Sequence, residues 1–312
     1  MEHIILESKI LEGKAKSELK KLTDSELFFF KIGRRNFITH KGAQHITKMR
    51  IHSSDFTNRD LRDLKYFPNL KLLEIFSFGL TDLQNIPSLE NLESLCLRLG
   101  DNTVDLKYLE RLPNLKNIDL EGLGVIENIQ PLSNLKKLRI LKLGGNKITD
   151  LFSLYSLNFI TELDLHSNKI EDISPLKNLK KLKELRLGGN KITDISPLKE
   201  LKNLKILSIA SNNIREISPL SELTSLEKID LSNNQIRDIE VLSNCKNLQT
   251  IELVGNPISS IVPLILLEKL ESIATNAGKI YEPLAAKFEK RIGTWVNRGE
   301  QCEYWGFSKK DR

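Results

Sequence analysis

The sequence predicts a repeat solenoid of the α/β type, in which short parallel strands alternate with irregular connectors. One observation behind this prediction is an Asn that recurs every 22 residues, at Asn146, Asn168, Asn190, Asn212, Asn234 and Asn256. The other is a set of apolar positions that keeps its phase relative to each Asn. A fixed period of this length sets the architecture of a chain more firmly than any single motif does.

Each repeat has seven apolar positions, and in the repeat around Asn190 they are Leu182, Leu185, Leu187, Ile192, Ile195, Leu198 and Leu201. The spacing Leu-x-x-Leu-x-Leu before the Asn ends with a period of two, which predicts a short strand with one buried face. A repeat this small cannot bury its apolar face alone, so repeats must stack around one continuous core. At roughly 1.5–3 kcal/mol per buried aliphatic side chain, each repeat gains on the order of 10–20 kcal/mol before conformational entropy is subtracted.

The chain turns sharply after each strand. Pro recurs at one phase on this side of the repeat, at Pro175, Pro197, Pro219 and Pro263. Because Pro fixes φ and lacks a backbone donor, these segments are predicted to be tight connectors and not ordinary long helices. The Asn amide offers both donors and an acceptor to backbone groups that are exposed where the strand ends. We therefore expect stacked Asn side chains to form a hydrogen-bonded ladder between neighbouring repeats.

The pattern L-x-x-L-x-L-x-x-N-x-I-x-D-I-x-P-L, which begins at Leu182, resembles the 22-residue class of leucine-rich repeat. That class is typified by a regulatory subunit of protein phosphatase 1 and by bacterial internalins. The resemblance covers roughly Ile46 to Thr275. It implies a curved array with a concave parallel sheet, an irregular or 3-10 convex side, an N-terminal cap and a C-terminal helical cap. It also implies protein binding through the concave sheet, with partners that differ from member to member.

Three regions follow from this pattern: an N-terminal cap at 1–45, about ten repeats at 46–275, and a C-terminal cap helix and tail at 276–312. The repeats are irregular up to about residue 143 and regular after it. Within the N-terminal cap, Ile4 to Leu22 has helical spacing, and Glu26 to Ile32 predicts a strand whose Phe residues are buried.

Two departures from the repeat are informative. Phe78 and Gly124 stand at the Asn phase of irregular repeats, where we expect the ladder to break. After residue 275 the repeat ends, and apolar residues at spacings of three or four predict the C-terminal helix, at Tyr281, Leu284, Ala285, Phe288, Ile292 and Trp295.

Residues that alternate with the buried leucines should face the concave side of the sheet. The expected contacts to a protein partner are Leu72, Glu74, Phe76, Arg98, Asp119, Glu121, Lys142, Glu162, Asp164, His166, Arg186 and Asp230. Asp119, Lys142, Asp164 and Arg186 alternate in sign in one column, which fits a self-satisfied charge ladder as well as a binding surface. His166 stands between Gly144 and Gly188, which predicts either a dent around the imidazole or simply an eased turn.

Catalytic, metal and cofactor sites are not predicted. The sequence contains no glycine-rich phosphate loop, nucleophile elbow, CxxC pair or HExxH motif. Glu162, Asp164 and His166 could form an acid/base cluster, but the neighbouring columns supply no nucleophile. The three cysteines, Cys96, Cys245 and Cys302, lack metal-ligand spacing, and Cys245 is expected to be a small buried hydrophobe.

The predicted function is therefore a non-enzymatic scaffold that binds a protein. Its role as regulator of a partner enzyme, as bacterial effector or as antitoxin-like blocker stays open. The alternative is a nucleic-acid-associated protein that uses a basic rim, formed by Lys136, Lys180, Lys202 and Lys246. The net charge of +6 is modest for 312 residues, and no stretch is apolar enough to span a bilayer. We expect a cytoplasmic monomer, or else an effector that is secreted without a signal peptide.

Overall fold

A computed structural model describes residues 3–4, 6–21, 29–32, 35–100 and 104–275 of the chain. The chain divides into two compact units, Met1–Ile148 and Thr149–Arg312. The predicted C-terminal helix, and the predicted burial of the N-terminal Phe run, lie outside the described residues.

The first unit begins with a small antiparallel sheet and two helices. Its strands are β1 (His3–Ile4), β2 (Phe29–Ile32) and β3 (Arg35–Thr39), and its helices are α1 (Lys9–Leu19) and α2 (His40–His45). The prediction of a helix from Ile4 was wrong at its start, because Ile4 pairs with Ile38 in the sheet. The helix begins only after Ser8, whose Oγ accepts a hydrogen bond from the Leu11 N–H at 3.2 Å. The Ser8 N–H also donates to the buried Asp63 carboxylate at 2.7 Å, which ties this helix to the first repeat.

The repeats of the first unit form a parallel sheet whose strands pair in chain order. The strands are β4 (Lys48–His52), β5 (Leu72–Ser77), β6 (Ser94–Leu99), β7 (Asn117–Asp119) and β8 (Ile140–Lys142). They alternate with 3-10 turns at Asp60–Tyr66, Leu106–Arg111 and Gln130–Asn134. The register sets apolar residues of equal phase side by side, and all of them are buried: Met49, Leu73, Leu95, Ile118 and Leu141.

The second unit continues the same construction with regular repeats. Its described strands are β9 (Glu162–Asp164), β10 (Glu184–Arg186), β11 (Ile206–Ser208), β12 (Lys228–Asp230), β13 (Thr250–Glu252) and β14 (Ser272–Ala274). The 3-10 turns lie at Phe152–Leu154, Ser174–Asn178, Ser196–Glu200, Ser218–Glu222, Glu240–Asn244 and Val262–Leu266. The second residue of four of these turns is Pro175, Pro197, Pro219 or Pro263, which confirms the predicted connectors.

The Asn ladder is present as predicted. The Asn190 side-chain amide donates to the Leu187 carbonyl of its own coil at 2.8 Å and to the Leu165 carbonyl of the preceding coil at 3.0 Å. Its Oδ1 accepts from the Ile170 N–H of that preceding coil at 3.0 Å. The same three bonds recur at Asn212, Asn234 and Asn256 of the second unit and at Asn146 of the first. One side chain thus satisfies backbone groups of two coils.

Where the Asn is missing, other groups connect the coils. Phe78 points outward and is 78% exposed, but the adjacent Ser77 is buried and its Oγ donates to the Phe56 carbonyl at 2.7 Å. Gly124 has φ +71° and its N–H donates to the Gly145 carbonyl at 3.0 Å. The amide ladder is interrupted at both positions, as predicted, although hydrogen bonds still join the neighbouring coils.

The ladder predicts a large loss of stability on replacement of Asn212 by Ala. The change leaves the Ile192 N–H and the Leu187 and Ile209 carbonyls without their side-chain partner. Because each buried backbone group left unsatisfied costs about 1–3 kcal/mol, we expect urea denaturation to show a loss of about 3 kcal/mol. Asn213→Ala is the matched control, since Asn213 is exposed, and should change stability by less than about 0.5 kcal/mol. Equal losses in the two variants would contradict this role of the ladder.

Candidate functional site

The strand residues that alternate with the buried leucines form what we call the sheet face of each unit. In the first unit its middle column is Arg50, Glu74, Cys96, Asp119 and Lys142. In the second unit the column is Asp164, Arg186, Ser208, Asp230 and Glu252. Within each unit, strand pairing therefore confirms the predicted columns.

The predicted partner contacts differ in accessibility. Phe76 and Arg186 are exposed, whereas Asp164 is only 7% exposed and leaves little surface for a partner. The other predicted contacts are half-buried, namely Leu72, Glu74, Arg98, Asp119, Glu121, Lys142, Glu162, His166 and Asp230.

Arg98 is the centre of a charged cluster on the sheet face of the first unit. Its guanidinium lies 2.7 Å from the Asp119 carboxylate and 3.8 Å from that of Glu121, and it also donates to the Leu97 carbonyl at 3.0 Å. Burial is the largest single effect on the pKa of Arg98 and lowers it, but the hydrogen bond and charge of Asp119, together with other nearby charges, raise this pKa above its usual value. Asp119 therefore pairs with a cation on the neighbouring strand β6, a pairing that the repeat pattern did not predict.

An aromatic pair lies beside this cluster on the same sheet face. The rings of His52 and Phe76 are stacked with centroids 4.4 Å apart and an interplanar angle of 29°. Phe76 is 38% exposed, and the half-buried Leu72 lies on the same strand. Arg50 Nε donates to the Glu74 carboxylate at 2.6 Å in the adjacent column. The side chains that would meet a partner here are held in place by contacts within the chain.

In the second unit, Arg186 pairs chiefly with Glu184, a pairing that the repeat pattern did not predict. Its Nε lies 2.7 Å from Glu184 Oε1 and 4.0 Å from Asp164 Oδ2. The hydrogen bond to Glu184 is the main cause of a raised pKa for Arg186. The expected Asp164–Arg186 step of a charge ladder is therefore the weaker contact. The Arg186–Glu184 pair could have been predicted from the sequence, because residues two apart in a strand share a face of the sheet.

His166 is held by a carboxylate of its own coil. Its Nδ1 lies 2.7 Å from Asp164 Oδ1, and its backbone N–H donates to the same oxygen at 3.0 Å. The carboxylate holds the ring next to the strand end, and Asp164 itself is buried.

Asp230 and Glu252 are neighbours of like charge on strands β12 and β13. Burial, and secondly the charge of Asp230, raise the pKa of Glu252. Among the described residues neither carboxylate has a salt-bridge partner, and Asp230 accepts instead from the Ser232 N–H at 3.0 Å.

The predicted basic rim is partly neutralised. Lys180 Nζ lies 2.6 Å from the Glu200 carboxylate, and Lys202 Nζ lies 2.5 Å from that of Glu222. These hydrogen bonds are the main cause of a lowered pKa for both Glu residues. Each pair joins neighbouring coils, so these two lysines act within the fold and do not present free positive charge.

No group of three or more His, Cys, Asp or Glu residues in the described ranges could hold a metal ion. Among those residues, no helix has the length and hydropathy needed to cross a bilayer.

Comparison with known proteins identifies the repeats. Five overlapping matches to the family described as leucine rich repeats (2 copies) cover 136–178, 158–200, 180–222, 202–244 and 224–266. Residues 136–266 of the chain carry leucine-rich repeats. Such repeats are typically non-enzymatic modules that mediate protein–protein interaction.

Among the relatives is acidic leucine-rich nuclear phosphoprotein 32 family member A of Drosophila melanogaster, which is 32% identical over 113 residues. The match covers 32% of this chain and 42% of that protein, so the chain spans less than half of its length. Internalin C2 of Listeria monocytogenes superposes with a TM-score of 0.50 at 26% identity, over 87% of this chain and 94% of that one. InlP of Listeria monocytogenes gives a TM-score of 0.61 at 20% identity, over 79% and 70%, and shares the fold.

The sheet face predicts low reactivity for Cys96. Burial, and secondly the charge of Asp119, raise the pKa of this thiol to about 11. Because only the thiolate reacts, alkylation by iodoacetamide at pH 8 should be roughly a hundredfold slower in the folded protein than in urea. Peptide-resolved mass spectrometry separates Cys96 from the buried Cys245, whose pKa burial also raises to about 11. Rapid labelling of folded Cys96 would contradict this environment.

The like-charged pair predicts that Glu252→Gln stabilises the protein at neutral pH. A raised carboxyl pKa means that ionised Glu252 is disfavoured in the folded state. Ionised Glu252 therefore lowers the stability of the protein at pH 7, and this loss is absent below the unfolded pKa of about 4.3. We expect a gain of less than about 1 kcal/mol at pH 7 that disappears near pH 3, measured by urea denaturation. Glu216→Gln, at an exposed site in the same unit, should show no such pH-dependent gain.

Proposed function

We propose that this chain is a non-enzymatic module that binds a protein partner through its sheet face. The observation that carries the proposal is the combination of a stacked His52–Phe76 pair and the Arg98 cluster on the sheet face of the first unit. Aromatic and Arg side chains in ordered, partly enclosed sites are the residues that dominate protein–protein binding energy. The general interaction role of leucine-rich repeats agrees with this use.

Preorganisation supports the same proposal. Arg98 is held by Asp119 at 2.7 Å, and Phe76 is stacked on His52, before any partner arrives. Because binding then orders few additional side chains, less conformational entropy is lost on association. A rigid sheet face is therefore suited to a partner with a complementary surface.

The proposed class of protein-binding modules includes three possible roles. Regulation of a partner enzyme, action as an effector and blocking of a toxin all use the same sheet face. We propose a monomer that works in the cytoplasm. Nucleic-acid binding is not proposed, since Lys180 and Lys202 of the basic rim are paired with Glu200 and Glu222.

Photo-crosslinking tests the proposed surface. A benzoylphenylalanine at Glu74 or at Ser208 samples the sheet face of the first or the second unit, and one at Lys199, an exposed turn position, is the control. We expect a crosslinked protein from a sheet-face position and none from Lys199. Crosslinks to the same protein from Lys199 only would contradict the proposal.

Variants of the contact residues then measure affinity for the crosslinked protein. Phe76→Ala and Arg98→Glu should each weaken its binding about tenfold or more, because residues of these types are the usual hot spots. Arg186→Glu makes the equivalent change in the second unit and shows which sheet face is used. Lys199→Glu is the charge-reversal control on a turn and should bind normally. Unchanged binding in all three sheet-face variants would overturn the assignment.

A further inference from the structure

Three aromatic rings in the described turns are each accompanied by a cation of the same chain. In the first unit, Lys65 Nζ lies 4.9 Å from the centroid of the Tyr66 ring, and Lys107 Nζ lies 4.8 Å from that of Tyr108. In the second unit, Lys181 Nζ lies 4.0 Å from the centroid of the Phe159 ring. A cation over a ring face is attracted by the ring quadrupole, so each of these rings has its electrostatic partner.

Phe152 and Tyr155 depart from this pattern. Their rings are stacked with centroids 6.3 Å apart and an interplanar angle of 10°, and they are 73% and 44% exposed. No Lys or Arg among the described residues lies over either ring. Phe152 begins the first 3-10 turn of the second unit, and the corresponding position of the next three turns is Ser174, Ser196 or Ser218. A large ring thus replaces a small polar residue, and it is left open to solvent.

A carboxylate, that of Asp150, precedes the aromatic stack in the chain. One of its oxygens, Oδ1, accepts from the Phe152 N–H at 2.7 Å, which places the carboxylate at the start of the turn. Among the described residues Asp150 has no salt-bridge partner. Asp172 occupies the same phase of the next coil and accepts from the Ser174 N–H in the same way. The stack therefore lies next to negative charge in a protein whose net charge is +6.

We propose that the Phe152–Tyr155 stack and Asp150 form a docking site for an arginine side chain of a protein partner. A guanidinium is planar, stacks on aromatic rings and pairs with a carboxylate through its edge, so one group can use both features. A purely apolar group would cover the rings without using the carboxylate. This site lies on the turn side of the repeats and is separate from the sheet face.

The charge of Lys177 affects binding at the same site. It takes the place of Tyr155 in the next turn, and its ammonium lies over neither ring of the stack. A partner guanidinium would meet repulsion from this Lys. Lys177→Ala is therefore expected to strengthen binding of an arginine peptide, whereas a site for an acidic partner would be weakened by the same change.

The test uses the full chain and a fluorescein-labelled peptide of three Gly-Arg repeats, with a citrulline peptide of the same shape and no charge. By fluorescence anisotropy, the arginine peptide should bind about fivefold more tightly than the citrulline peptide. Phe152→Ala and Asp150→Asn should each reduce binding towards the citrulline level. Because Phe152 is 73% exposed and Asn can still accept the turn hydrogen bond, both variants should keep their thermal midpoint.

Two control variants test whether the peptide binds at the Phe152–Tyr155 stack. Phe159→Ala removes a neighbouring ring that already has Lys181 over it, and it should leave peptide binding unchanged. Arg98→Glu changes the sheet face of the first unit and should also have no effect, which separates this site from the proposed function. Equal affinity for the two peptides, undetectable binding by the wild type, or full binding by Phe152→Ala would overturn the proposal. A wild-type dimer in light scattering that Phe152→Ala abolishes would also overturn it, because the occupant would then be a second copy.

Discussion

The regular part of this structure depends on the hydrogen bonds that the side-chain amide of the recurrent Asn makes. Strands of three residues form few backbone hydrogen bonds with their neighbours. Where each strand ends, buried backbone N–H and C=O groups lack a backbone partner and need one from a side chain. Asn190 satisfies two carbonyls and one N–H from two coils with a single side chain. The buried leucines supply the larger share of the free energy, but they are non-directional. The amide bonds add direction, because they fix one coil against the next.

Positions that repeat with the period could be predicted from the sequence, because burial acts on every coil in the same way. Leu163, Leu185 and Leu207 lie side by side and are buried, as their equal phase implies. Prolines at one phase likewise predicted the tight connectors. The helix that begins after Ser8 shows the opposite case, since apolar spacing alone did not reveal that Ile4 belongs to a strand.

Side-chain pairing on the surface could not be predicted to the same degree. Exposed ion pairs differ from one another by about 1 kcal/mol or less, so small differences in geometry decide which partner is chosen. Arg186 accordingly pairs with Glu184 of its own strand more closely than with Asp164 of the next. Asp164 meanwhile binds His166. The columns of the sheet face were thus predictable, whereas the charges that remain available on it required the structure.

Ser77 shows that a coil can lack the recurrent Asn and still bond to its neighbour. Its hydroxyl bonds the Phe56 carbonyl in a coil that lacks the recurrent Asn, so a different side chain one position earlier can join neighbouring coils. Within the second unit, by contrast, every regular coil presents the same bonding groups to the coil before it and to the coil after it. Duplication or deletion of one complete 22-residue segment there would preserve the Asn hydrogen bonds at each junction. The length of that unit can therefore vary by gene duplication in whole coils, and each added coil widens the surface without requiring a new core.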